Sequence, residues 1–123
     1  MVLHAALVAD VMTDSHLDDM FAALADPARR GAVDLLRKKP RRAGELASAL
    51  SISAARMSQH LRVLRKSGII EDDDVEGDAR VRLYRLRQEP FSVMRGWLEE
   101  VEEFWAMELS AFKVHAERGK GKR

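Results

Sequence analysis

The chain has 123 residues, with 21 Lys and Arg against 20 Asp and Glu; that length suits one domain around a single modest core. Apolar residues make up 46% and charged residues 33%, a balance that excludes wholesale disorder. Cysteine is absent, so disulfides, thiolate metal sites, iron–sulfur clusters and thiol nucleophiles are excluded together.

The net charge of +1 hides a segregation. Residues 1–25 carry −4, residues 26–70 carry +8, 71–79 carry −6, 80–87 carry +4, 88–117 carry −5 and 118–123 carry +4. A basic centre between acidic flanks points to an anionic partner. No apolar run approaches the ~18–20 residues that span a bilayer. The first twelve residues lack a basic leader region and are interrupted by Asp10, so no secretory signal is read and a cytoplasmic location is expected.

In chain order, residues 1–12 form an apolar N-terminal extension, and the folded domain is expected over 13–117. Thr13-Asp14-Ser15 offers a helix N-cap, after which Leu17, Met20, Phe21 and Leu24 follow helical spacing. Asp26-Pro27 restarts a helix: Asp caps it, and Pro sits at the first position, where its missing N–H costs nothing. That helix stops near Lys38-Lys39-Pro40. A short helix over Ala43–Leu50 is followed by the tight piece Ser51-Ile52-Ser53. A helix from Ala54 to Ser67 then places Met57, Leu61 and Leu64 on one face, and Gly68 closes it.

The period then changes. Ile69-Ile70 open a strand, Glu76-Gly77-Asp78 signals a turn, and residues 80–86 alternate as a second strand. Glu89-Pro90 begins a last helix to about Glu117, with an apolar stripe from Phe91 to Phe112 and Glu99, Glu100, Glu102 and Glu103 mostly opposite. Residues 118–123 are expected to form a flexible basic tail. The fold class is mainly α with a small β-hairpin, which must lie against the helices because it is too small to stand alone.

Ala43–Leu50 and Ala54–Ser67, joined by three residues, have helix-turn-helix spacing, in which the second helix is offered to a DNA major groove. Its outer face carries Arg56, Ser58, Gln59, Arg62 and Arg65. Arg and Gln make paired hydrogen bonds to guanine and adenine edges. Ser53, Ser58 and His60 suit phosphates or close-range base edges, and Arg80 and Arg82 on the hairpin suit a neighbouring phosphate or minor groove. Arg29-Arg30 and Arg41-Arg42 read as further clamps on the DNA backbone.

Three stretches, Ala23-Leu-Ala-Asp-Pro-Ala-Arg-Arg30, Ser58-Gln-His-Leu-Arg-Val-Leu-Arg-Lys-Ser-Gly68 and Leu83-Tyr-Arg-Leu86, together resemble the ArsR/SmtB family of winged helix-turn-helix regulators. The resemblance implies a helix-turn-helix over 43–67, a wing over 69–87 and a dimerisation helix over 89–117. It further implies homodimers through the first and last helices that bind an inverted-repeat operator and usually repress. The residues expected at double-stranded DNA are Arg42, Ser53, Ala55, Arg56, Ser58, Gln59, His60, Arg62, Arg80 and Arg82. Those expected at the dimer interface are Leu17, Phe21, Met94, Trp97, Leu98, Val101, Phe104 and Trp105.

Three departures from the family pattern, at four positions, stand out. Ala54 replaces the usual Gln at the start of the recognition helix, and Arg56 follows it where a small residue is typical. Ser51 replaces the glycine of the turn, which costs something if that residue needs positive φ. Arg42 replaces a Thr cap, losing a side-chain acceptor and placing one more cation near the DNA backbone.

Many family members bind metal through a Cys motif on the helix before the recognition helix; Glu45–Leu50 has no thiol. The last helix offers His115 without a second His at helical spacing, so neither a transition-metal site nor a cofactor is expected. Asp72-Asp73-Asp74 lacks the spacing of a Ca²⁺ loop; it reads as repelling phosphate where the hairpin turns away, or as keeping an edge strand soluble. Trp97 and Trp105 read as a dimer seam, with a small-molecule pocket as the sharper alternative. No enzyme signature is present: there is no Gly-rich phosphate loop and no local Ser–His–acid set. A protein-interaction module and a ligand-responsive activator are the other functional classes, and an unidentified small-molecule or protein effector is left open.

Overall fold

The computed structural model describes residues 15–75 and 78–121. The N-terminal extension 1–12, the Thr13-Asp14 part of the first cap and the Glu76-Gly77 part of the hairpin turn lie outside them. The elements in order are α1 (Ser15–Ala23), α2 (Pro27–Leu36), β1 (Arg41–Arg42), α3 (Ala43–Leu50), α4 (Ala54–Lys66), β2 (Ile70–Val75), β3 (Asp78–Leu86) and α5 (Gln88–Gly121). The chain divides into two compact units, Met1–Phe91 with the helix-turn-helix and sheet, and Ser92–Arg123 with most of α5. α5 is helical through Gly121, which includes residues 118–121 of the expected basic tail.

α2 starts where the sequence places its signals. Asp26 is extended (φ −104°, ψ 131°), and its Oδ1 accepts from the N–H groups of Ala28 at 2.8 Å and Arg29 at 3.1 Å. The Arg29 N–H is the main reason the Asp26 carboxyl sits below its ordinary value of 3.8, with burial opposing and the Ala28 N–H assisting. Gly31 lets α2 approach α3 closely: a Cβ there would lie 2.8 Å from Cδ2 of Leu50.

The turn between α3 and α4 has a left-handed residue. Ser51 has φ 55° and ψ 44°, the only positive φ on a non-glycine among the described residues. It closes α3 with its N–H on the Ser48 carbonyl at 3.2 Å, and Ile52 N–H reaches the Ala47 carbonyl at 3.1 Å. Ser53 then caps α4, its Oγ accepting from Arg56 N–H at 3.1 Å. α4 ends at Ser67 and Gly68; Gly68 has φ 81°, and Ile69 N–H returns to the Leu64 carbonyl at 3.0 Å.

Core positions follow the apolar periods. Met57, Leu61 and Leu64 of α4 are buried with Leu46 and Ala47 of α3, Ala32 and Leu36 of α2, Met20 and Ala23 of α1, and Ile69 and Ile70. Where the sequence showed a two-stranded hairpin, the sheet has three strands in the order β1-β3-β2. The third is the Arg41-Arg42 pair, which registers against Tyr84 and Leu83. A strand of two residues has no periodicity to detect. β2 pairs antiparallel with β3, Asp72 opposite Tyr84 and Asp74 opposite Arg82, with a register shift after Asp74. The Asp run is therefore part of a strand.

Two outcomes test this account. Ser51→Gly removes the left-handed penalty of an L side chain, roughly 1 kcal/mol net of backbone entropy, and raises the melting temperature by about 2–6 °C. Asp26 contributes stability that is full above its unfolded pKa near 3.8 and is lost as pH falls through its lowered folded value. Asp26→Asn keeps a cap acceptor without the titration, so its melting temperature falls less steeply than the parent's below that pH, in paired thermal melts.

Candidate nucleic-acid interface

Burial of Met57, Leu61 and Leu64 fixes which face of α4 meets water. Ala54, Ala55, Arg56, Ser58, Gln59, Arg62, Arg65 and Lys66 are all exposed. At 100° per residue, Ala55, Gln59, Arg62 and Lys66 run down the middle of that face. Ser58 and Arg65 flank it on one side, and Arg56 on the other. Cations thus run along both edges and the C-terminal half of the centre, with Ala55 and Gln59 in its first half. Arg65 and Lys66 also suit the negative end of the helix.

Several residues expected at DNA are exposed, and others turn inward. Arg42 is exposed at the start of α3; its side chain has no acceptor for a cap, and Glu45 instead accepts from Arg42 N–H at 3.4 Å. Ser53 is exposed, with one lone pair committed to the α4 cap. His60, expected among the DNA contacts, is half-buried and faces α2, its Nδ1 accepting from Arg29 Nη1 at 3.2 Å. Arginine only donates, so Nδ1 is the acceptor and the neutral ring carries its proton on Nε2, which is buried without a hydrogen-bond partner.

Arg29 and Arg30, read from sequence as backbone clamps, serve the fold. Arg29 Nε donates to the Ala23 carbonyl at 2.7 Å and its Nη2 to Ala22 at 3.3 Å, while Arg30 Nη1 reaches the Leu24 carbonyl at 2.8 Å. They add donors to the carbonyls at the end of α1, of which Ala22 also accepts from Ala25 N–H. Arg41 Nε likewise donates to the Leu35 carbonyl at the end of α2, at 3.3 Å. Sequence gives no sign of this, because a carbonyl acceptor belongs to every residue type.

The wing is laced by ion pairs. Asp72, whose side chain is 1% exposed, meets Arg65 Nε at 3.0 Å through Oδ1 and Arg82 Nη1 at 2.5 Å through Oδ2. Asp74 lies 3.8 Å from the same Arg82 nitrogen, and the hydrogen bond that Arg82 donates to Asp72 is the main cause holding the Arg82 guanidinium above its ordinary pKa. On the other face of the sheet Arg85 pairs with Asp73 at 2.8 Å and Arg87 with Glu71 at 3.9 Å. Sequence reasoning had Asp72 repelling phosphate or solubilising an edge; the structure makes it the internal counter-ion of two arginines. The side chain of Arg80 lies outside the described residues.

Of the expected interface residues, Leu17, Phe21 and Val101 are half-buried. Met94 is buried within the chain, which leaves it little surface to give a partner. Trp97, Leu98, Phe104 and Trp105 are exposed, as are Met107, Leu109 and Phe112 beyond them. No helix among the described residues is long and apolar enough to cross a membrane, and no group of three or more His, Asp or Glu side chains there is placed to hold a metal ion.

The family described as "Bacterial regulatory protein, arsR family" matches residues 26–72, from the α2 cap to the buried Asp72. The HTH-type transcriptional regulator Rv2034 of Mycobacterium tuberculosis is 34% identical over 95 residues, covering 77% of this chain and 83% of that protein. The transcriptional repressor SdpR of Bacillus subtilis is 36% identical over 56 residues, 46% of this chain and 62% of that protein. Among solved structures, an ArsR-like transcriptional regulator from Rhodococcus sp. RHA1 superposes with a TM-score of 0.74 at 29% identity, over 87% of this chain and 95% of that one. With its winged helix-turn-helix and these relatives, the chain belongs to the ArsR family of bacterial transcriptional regulators and carries that family's DNA-binding domain.

Proposed function

We propose that this regulator is a homodimeric repressor whose two α4 helices enter successive major grooves of an inverted-repeat operator. The observation that carries this reading is the exposed face of α4, where Arg56, Gln59, Arg62, Arg65 and Lys66 stand clear of the core with no apolar anchor but Val63. A groove for a protein partner would centre on buried aromatic or aliphatic anchors. Long donors on a helix match base edges and phosphates. The similarity to SdpR, a named transcriptional repressor, supports repression over activation.

Dimerisation rests on α5. Leu98, Trp105 and Phe112 recur every seven residues and are 49%, 59% and 72% exposed, with Phe104 at 56% beside them. A helix showing that much apolar surface needs a cover, and a second copy supplies a matching stripe. Two-fold pairing sets the α4 helices ~34 Å apart, one turn of B-DNA.

Selection of bound duplexes from a random pool tests the reading. A pseudo-palindromic consensus, bound with an affinity that falls steeply with salt, is expected. Failure to prefer any duplex over a scrambled competitor at low ionic strength overturns it. Arg56→Ala weakens the selected site by about 1–3 kcal/mol and relaxes one base position, whereas Arg80→Ala weakens all duplexes alike. In analytical ultracentrifugation, Trp105→Ala shifts the protein toward monomer; unchanged sedimentation removes Trp105 from the interface.

A further inference from the structure

We propose that Arg65 and Arg82 form a single clamp for one DNA backbone phosphate at the seam between recognition helix and wing, and that Asp72 is its positioning residue. The proposal rests on the reading that α4 enters a major groove.

The carboxylate and its two cations are exposed to very different degrees. The Asp72 side chain is 1% exposed, while those of Arg65 and Arg82 are 60% and 47% exposed. The anion is spent inward and both cations stay open to solvent. The two arginines use different oxygens of the carboxylate, Nε of Arg65 on Oδ1 and Nη1 of Arg82 on Oδ2, so one small group holds both guanidinium groups near each other. Each guanidinium has five N–H donors, and this bridge engages one on each. The rest suit the fork geometry by which arginine grips phosphate.

A buried carboxylate is costly unless paired and hydrogen-bonded, so Asp72 needs both partners. The same need keeps the arginines from wandering. Arg65 lies on α4 and Arg82 on β3, and no other ion pair among the described residues joins the helix to the wing. Position along α4 selects phosphate over base: the N-terminal residues of a recognition helix meet base edges, and Arg65 lies in the last turn. Ser58 and Arg65 stand at i and i+7 on one edge of α4, with Arg62 between them toward the middle of the face, so a strand of backbone tracked along that edge arrives at the clamp.

The sign of one substitution separates positioning from simple charge. Asp72→Asn removes a negative charge beside the DNA face, and plain electrostatics then tightens binding to every duplex. Positioning requires the reverse, because two long side chains must be ordered afresh on binding. The experiment measures affinity across a salt series for the selected duplex and a scrambled one, with near-ultraviolet circular dichroism to confirm folding. Expected is a loss of roughly tenfold for Asp72→Asn on both duplexes, and no further loss when Asp72→Asn is added to Arg65→Gln with Arg82→Gln. Equal or tighter binding by folded Asp72→Asn overturns the proposal. Arg65→Gln alters an exposed residue and keeps the test open if Asp72→Asn does not fold. It should lower the slope of log affinity against log salt by about one, and an unchanged slope overturns the clamp. If the parent protein binds no duplex, the operator reading fails; if it binds selectively and these variants disagree, only the clamp fails.

Discussion

Everything the recognition surface does depends on three side chains that fasten α4 to the core. Met57, Leu61 and Leu64 are each at most 2% exposed and spaced so that one stripe of the helix is committed inward. Full burial of such side chains stabilises by about 1.5–3 kcal/mol each, far more than any surface ion pair. That anchoring decides which residues face water. Rotating α4 by one residue would bury arginines without partners, so the apolar stripe sets the register of the cationic one.

The second constraint is the treatment of arginine. The segment 26–70 is strongly basic, yet several of its cations are consumed by the fold. Arg29 and Arg30 satisfy the carbonyls that end α1, and Arg29 also holds His60 on the inner side of α4. Arg29 thereby ties α1, α2 and α4 together at a single point. The wing follows the same rule with carboxylates in place of carbonyls: Asp72 and Asp73 of β2 take Arg82 and Arg85 of β3, and Glu71 takes Arg87 just past the strand. A wing whose Arg82, Arg85 and Arg87 are paired within it, and whose carboxylates outnumber its arginines, adds little long-range attraction for an anion, which leaves the exposed cations of α4 as the main basic face.

Legibility from sequence followed the range of the interaction. Caps and helix limits were readable because their signals lie within four residues: Asp26-Pro27 opens α2, Ser53 caps α4, and Gly68 closes it. The left-handed Ser51 was visible as a turn position that wanted glycine. The inward roles of Arg29 and His60 were not, since they depend on residues 31 positions apart. The Asp run was misread for the same reason. Three consecutive aspartates on a strand alternate faces, and only the register of β2 against β3 and α4 shows that Asp72 is enclosed while Asp73 and Asp74 are not. Two-residue β1 was invisible because pairing, not propensity, makes it a strand.

Arg56 shows how the two constraints meet at the start of α4. It occupies the third helical position, its backbone N–H already held by Ser53, and the first turn carries no acidic residue. A cation there opposes the positive end of the helix dipole, an arrangement that costs a few tenths of a kcal/mol or more in the isolated protein. Among the described residues nothing offsets it: Arg56 is exposed, and no carboxylate there forms an ion pair with it. A charge kept against the local field is explained by a partner that arrives later. In the proposed complex a duplex supplies that partner: its phosphates would compensate both the side chain and the helix end, and its base edges would take the donors that solvent holds beforehand.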